Sequence, residues 1–411
     1  MVRTSTGLAW LFLLLPFVGA AASAQAPLPD AGRTPAAPAA SASLAAFDQF
    51  FDARLAEQGI VGASFLLLRD HRVAHARTFG LADLQTRRAV DANTIFHWAS
   101  ITKTLTAIGI MQLRDRGLLS LDDPIIKYLP ELRQVYNPFG PMEAITLRML
   151  MSHSAGFRSA TWPWGGDQEW HPFEPPAWAQ VAAMLPYTRI EFPPGSKYSY
   201  SNPGIIFLGR VIELLTGDDY EVYIDKNILT PLEMHRTFFD AAPYHLQSLR
   251  SHSYFWKGGA PVEARFDFDT GVTVSNGGLN APLPDMAKYM DFLVGNPAHQ
   301  AVYDGVLRRS SLQEMWRPVV AVGGDEAPGA KMGLCFFLED HGGIPLVAHS
   351  GSQNAFISHF YLNVERRTAF LVAFNTVAEP VGPDGKGNSR QVDRDVRDYV
   401  VKNVIPGLTA R

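Results

Sequence analysis

Residues 96–117 read FHWASITKTLTAIGIMQLRDRG. A serine, Ser100, stands three residues ahead of a lysine, Lys103, where a helix is about to begin. The turn-like Asp91-Ala92-Asn93-Thr94 comes before it, and the run from Thr104 has helical spacing with Gly117 as its stop. On a helix, positions i and i+3 share a face, so the lysine amine reaches the serine hydroxyl. Ser100 would then lie in the first turn, where free N–H groups and the helix dipole favour developing negative charge. A buried lysine holds its proton less tightly and can accept one from serine. The same four residues also fit a plainer arrangement, a helix cap followed by a surface lysine.

On the N-terminal side, VGASFLLL at 61–68, the turn Arg69-Asp70-His71-Arg72 and VAHARTFG at 73–80 form a hairpin pattern. Before it, Ser43 can cap a helix that carries Leu44, Phe47, Phe51 and Leu55 on one side. Residues 25–43 read QAPLPDAGRTPAAPAASAS, with seven Ala and four Pro, a composition expected to form an extended tether. The first 24 residues place Arg3 ahead of an apolar run, Leu8 to Val18, and the small residues Gly19 to Ala24. That is the pattern of a secretory signal peptide cut after Ala24. A membrane anchor is the competing reading, but the run is short of the roughly 20 apolar residues a span needs, and Pro16 interrupts it. The expected location is therefore secreted or periplasmic, with no membrane span in the mature chain.

On the C-terminal side, Pro345–Ser358 and Tyr361–Asn375 read as two strands, and Gln391–Val404 as a closing helix. Strands at both ends with helices between predict an α/β (α+β) fold. Its antiparallel sheet is formed from N- and C-terminal strands, flanked by helices, with an inserted and mostly helical region. One folded domain is expected over 44–405.

Composition narrows the chemistry. The chain has 411 residues, 47% hydrophobic and 18% charged, with a net charge of −4, so it can build a large core and carries no basic footprint for nucleic acid. A single cysteine, Cys335, leaves no intramolecular disulfide and no Cys-x-x-Cys site. No His-Glu-x-x-His, Gly-x-Gly-x-x-Gly or P-loop motif occurs, so no cofactor or metal is implied, and the absence of Gly-x-Ser-x-Gly weakens an α/β-hydrolase nucleophile elbow. His71 and His75 are four apart in a strand-like run, where that spacing does not pair them as it would on a helix.

Four further stretches join the first: ITLRMLMSHSAGF at 145–157, PGSKYSYSNPGIIFLG at 194–209, SNGGLNAPLPDMAKYM at 275–290 and VAHSGSQNAF at 347–356. In that order they resemble the class C β-lactamase and penicillin-binding family of serine-reactive proteins, over most of residues 44–405. Tyr200-Ser201-Asn202 is similar to the family's Tyr-x-Asn motif, and His349-Ser350-Gly351 to its Lys-Thr-Gly or His-x-Gly motif. The resemblance implies that Ser100 is the nucleophile that forms an acyl-enzyme and Lys103 its base. It implies that Tyr200 relays protons to the leaving group, its phenol lowered in pKa by the nearby ammonium. Asn202 would bind substrate and hold Lys103. The backbone N–H groups of Ser100 and Ser352 would form the oxyanion hole. Read singly, Tyr200 and Asn202 also fit a Ser/Asn/Pro-rich turn, and His349 a core histidine.

The implied activity is hydrolysis of a small ester, an amide or a short peptide. His349, where many β-lactamases carry lysine, attracts a substrate carboxylate weakly because imidazole is mostly neutral at pH 7. That tilts the expectation toward esters, with β-lactamase or D-amino-acid peptidase activity as the alternative. A binding protein that keeps the fold without turnover is the other class. Trp162, Trp164, Trp170 and Trp178 crowd one loop-like stretch and fit either a pocket wall or packing onto the helical region.

Overall fold

The computed structural model describes residues 38–157, 175, 177–265, 269–323 and 329–408, with side chains from Ser43 onward. The expected signal peptide, most of the tether, and Trp162, Trp164 and Trp170 lie outside the described residues.

Helix α1 spans Pro38–Gln58 and starts five residues before the Ser43 cap that the sequence suggested. Proline is tolerated in a first helical turn and alanine is the strongest helix former, so the end of the Ala/Pro-rich tether joins the helix. The Ser43 hydroxyl instead donates to the Asn403 carbonyl. Strands β1 (Gly62–Arg69) and β2 (Arg72–Asp83) form the predicted hairpin. Its turn residues Asp70 and His71 take φ of 45° and 68°, the left-handed pair that suits the twist of a two-residue hairpin. His71 and His75 face separate carboxylates, Asp291 and Asp48. Strand β3 (Ile95–Ala99) leads to helix α2 (Thr102–Asp115), and helix α3 covers Asn202–Thr216. Strand β4 (Leu279–Pro282) pairs with β3 and runs into helix α4 (Leu283–Val294).

The C-terminal half supplies β5 (Phe337–Asp340), β6 (Pro345–Gln353), β7 (Phe356–Asn363), β8 (Thr368–Phe374) and helix α5 (Ser389–Tyr399), which continues as a π-helical turn over Val400–Val404. The two strand-like runs of the sequence are thus three strands. Asn354 and Ala355 fold the first run back on itself at φ of 49° and 65°. No glycine marks that turn, which is why the run reads as continuous.

The main sheet is antiparallel, in the order β2-β1-β8-β7-β6-β5, with short strands extending both edges. The first hairpin docks on the last, Ala63 opposite Phe374 and Arg69 opposite Thr368. Both faces are covered. Phe47 and Phe51 of α1 with Val392 and Val396 of α5 pack on one, against Phe65, Leu67 and Phe374. On the other, Leu66, Leu371 and Phe360 join the large core of α2, α3 and α4. A strand covered on both sides gains from apolar residues at every position, which accounts for the unbroken run in β1. The expected architecture, a sheet from both termini with a helical insertion, is the one observed.

Candidate active site

Strand β3 is buried throughout, and the chain leaves it at Ala99 with φ of 48°, a left-handed value that is costly for a residue with a side chain. Ser100 and Ile101 form a turn, and the helix begins at Thr102. Ser100 therefore lies just ahead of the helix rather than in its first turn. Its carbonyl accepts the Lys103 N–H at 3.0 Å, and the helix carries no side-chain cap. That removes the cap reading of the serine, and burial removes the surface reading of the lysine, which is 0% exposed.

The Lys103 amine lies 2.8 Å from Ser100 Oγ and donates to the Asn276 carbonyl at 2.6 Å. Burial pushes the amine down to about 7, partly opposed by the nearby Cys335 thiol. In its neutral form the amine can point a lone pair at the serine hydroxyl while still donating to Asn276. The Asn276 contact comes from a backbone atom, so no residue type announces it in the sequence.

Tyr200 completes the cluster. Its ring lies 5.0 Å from Lys103 Nζ, and its phenol is near enough to the Ser100 side chain to be influenced by it. Burial raises the phenol well above its ordinary value, and the nearby Ser100 side chain offsets only part of that. The expectation of a lowered phenol is thereby reversed. Desolvation disfavours phenolate more than a largely neutral lysine can favour it, so Tyr200 stays a proton donor.

Asn202 also departs from expectation. It opens α3 behind the cap Ser201, whose Oγ accepts the Gly204 N–H. Its Oδ1 is buried without a hydrogen-bond partner, and Lys103 is held by Ser100 and Asn276 instead. Position 202 is fixed by the start of a helix.

The third motif lies on β6. His349 is 1% exposed, its Nδ1 2.7 Å from the Ser350 carbonyl, its Nε2 unpartnered. Burial, and then Lys103, hold it down at about 3, so the imidazole is neutral at any working pH. Gly351 is where β6 meets β3: a Cβ there would sit 2.1 Å from the Trp98 carbonyl, two residues before Ser100. Ser350 and Ser352 are exposed beside it, and Ser352 Oγ accepts from Arg390 at 2.9 Å. A cavity of about 500 Å³ opens at Ser350 and Gly351 and reaches Arg390, Arg394 and Arg397 on α5.

Gly351→Ala is therefore expected to force the two strands apart. Overpacking of this kind costs about 1–3 kcal/mol. A displacement near 1 Å at a reacting centre can cost about 10²-fold in rate. A lowered Tm together with slowed covalent labelling of Ser100 is the expected pair of results. Unchanged labelling would mean that this contact does not set the site.

Trp178, the described member of the tryptophan stretch, packs on α3 beside Phe207 and Arg210 and donates to Glu131. For that residue the packing reading holds. The structure thus puts Lys103 in hydrogen-bond contact with Ser100 and over the Tyr200 ring, and backs them with His349 and Gly351. Sequence reasoning missed Asn276 and His153.

The chain is 25% identical over 334 residues to Protein flp of Staphylococcus aureus strain COL, covering 81% of this chain and 63% of that protein. It thus spans less than two thirds of the length of that curated relative. It is 30% identical over 220 residues to Esterase EstB of Burkholderia gladioli, covering 50% of this chain and 56% of that one. Among solved structures, the octameric penicillin-binding protein homologue from Pyrococcus abyssi superposes with a TM-score of 0.70 at 27% identity, over 81% of this chain and 73% of that one. The Beta-lactamase family model matches residues 47–393. With that match over most of its length, and with the family's fold, the chain belongs to the Beta-lactamase family, whose members are serine hydrolases.

Proposed function

We propose that the protein is a secreted or periplasmic serine hydrolase that cleaves small, uncharged esters through an acyl-enzyme on Ser100. The observation that carries this reading is the contact of a fully buried Lys103, held near pH 7, with Ser100 Oγ. Neutral Lys103 takes the Ser100 proton as Oγ attacks the ester carbonyl. The tetrahedral oxyanion is stabilised by the N–H groups of Ser100 and Ser352, a contribution of about 3–4 kcal/mol per donor. As the ester C–O bond breaks, the Tyr200 phenol gives its proton to the departing alkoxide, and the Lys103 ammonium restores it. Water then enters by the same route in reverse, attacks the acyl carbonyl, and releases the acid and free Ser100. Asn202 contacts the bound substrate.

The ester preference is supported by the neutral His349 and by the likeness to an esterase. One observation favours a second reading, a carboxylate-bearing β-lactam or D-peptide. Arg390, Arg394 and Arg397, with Glu339 and Asp393 among them, line the cavity at Ser350 and give it a cationic excess that His349 lacks.

A panel of nitrophenyl esters, a chromogenic β-lactam and D-amino-acid peptides decides between them. The account expects the highest kcat/KM on a short-chain ester; a β-lactam that outperforms every ester overturns the preference. His349→Lys should raise the ratio of carboxylate-bearing to neutral substrate kcat/KM by about tenfold. A new ammonium near the substrate carboxylate is worth a few kcal/mol at most in a partly screened site. An unchanged ratio would show that position 349 does not act on the substrate's charge.

A further inference from the structure

His153 lies in the stretch ITLRMLMSHSAGF but belongs to no catalytic motif of the chain. It is 1% exposed and takes φ of 53°, a left-handed conformation uncommon for a residue other than glycine. That conformation lets its carbonyl and its ring serve the same neighbouring segment. The carbonyl accepts the N–H of Ser199 at 2.8 Å, and the ring Nδ1 accepts the N–H of Ser201 at 3.2 Å. These are the two residues that flank Tyr200. Between them the imidazole stacks on the Tyr200 ring, centroids 4.5 Å apart at 31°, with Tyr198 meeting its edge at 6.0 Å. Next to it the Ser154 carbonyl holds the N–H of Gly195, so the segment is tied down along its length.

Because Nδ1 accepts a backbone N–H, the ring proton sits on Nε2, which is buried and has no partner. Burial, Lys103 and His349 keep the ring neutral, as the Ser201 contact requires. We propose that His153 is the positioning residue that holds the Tyr200 phenol beside Ser100 and its ring under Lys103. It touches neither substrate nor the transferred proton. Its effect passes through Tyr200, and the inference rests on the assignment of Tyr200 to leaving-group protonation.

That assignment supplies a signature no general packing role would give. Nitrophenolate departs without a proton, whereas ethoxide needs one. With ethyl butyrate and 4-nitrophenyl butyrate the acyl group is the same, so kcat/KM isolates the leaving group. His153→Phe keeps a ring but removes the acceptor. It should lose at least about tenfold more on the ethyl ester than on the nitrophenyl ester, within the 10²–10⁴-fold range of a misplaced general acid. His153→Asn keeps an acceptor and tolerates the left-handed backbone, and should stay within about threefold of wild type on both esters. In a Tyr200→Phe background, His153→Phe should add no further selective loss. Should His153→Phe not fold, His153→Ala makes the same comparison.

Equal losses on the two esters, equal damage from Asn and Phe, or full additivity with Tyr200→Phe would overturn the role of His153 and leave the hydrolase reading standing. Wild-type silence on both esters, with no Ser100 adduct from a fluorophosphonate, would overturn the hydrolase reading and this role with it.

Discussion

Ser100→Ala is expected to abolish covalent labelling and to lower ester turnover by about 10⁶-fold, the scale on which loss of a serine nucleophile registers in a comparable site. The effect should be all or none because neighbouring hydroxyls lack the same activation. Ser352 is exposed, but its Oγ is held by the Arg390 guanidinium, a group that does not act as a base near neutral pH. Ser358 is buried and donates to the Trp98 carbonyl. Only a small side-chain volume is removed, so the fold should survive with a near-unchanged Tm. Intact-mass spectra after exposure to a fluorophosphonate give one adduct on wild type and none on the variant. Equal labelling of both would place the nucleophile elsewhere.

Lys103→Met is expected to lower kcat by about 10²–10⁴-fold, the range of general-base catalysis. The substitution keeps the apolar stem and removes the amine, which makes its stability sign informative. Burying an ionisable amine costs free energy, and an apolar side chain of similar length avoids that cost. Tm should therefore hold or rise while turnover collapses. A structural lysine predicts the opposite pair, a lowered Tm with retained turnover, and calorimetry beside an ester assay separates the two.

What was legible in the sequence was local in character. The Asp70–His71 hairpin and the strand runs at both termini could be read because each depends on neighbouring residues or on periodicity, and the motifs around Ser100, Tyr200 and His349 through their resemblance to a known family. Features set by distant contacts could not. The phenol of Tyr200 is raised because surrounding groups distant in sequence desolvate it, a fact no pair of residues encodes. Lys103 is anchored by the backbone of Asn276, and a carbonyl has no letter in the sequence. Ala355 turns a strand without a glycine, so three strands read as two. His153 was visible as a residue but not as a clamp, since its role depends on a left-handed φ and on two N–H groups nearly fifty positions away. Position 202 shows the reverse hazard: the motif is present, yet Asn202 opens a helix and leaves Lys103 to other partners.

The central claim is that Ser100 is activated by a lysine already neutral near physiological pH. The rate of fluorophosphonate labelling followed from pH 5 to 10, with the adduct located by peptide mass, tests it most directly. A base must be deprotonated to act, so labelling should rise with pH and level off above the amine's own value. The account predicts a single adduct on Ser100 and a midpoint near 7, where burial holds Lys103. An adduct on another residue, or a rate that keeps climbing toward the ordinary lysine value near 10.5, would contradict it.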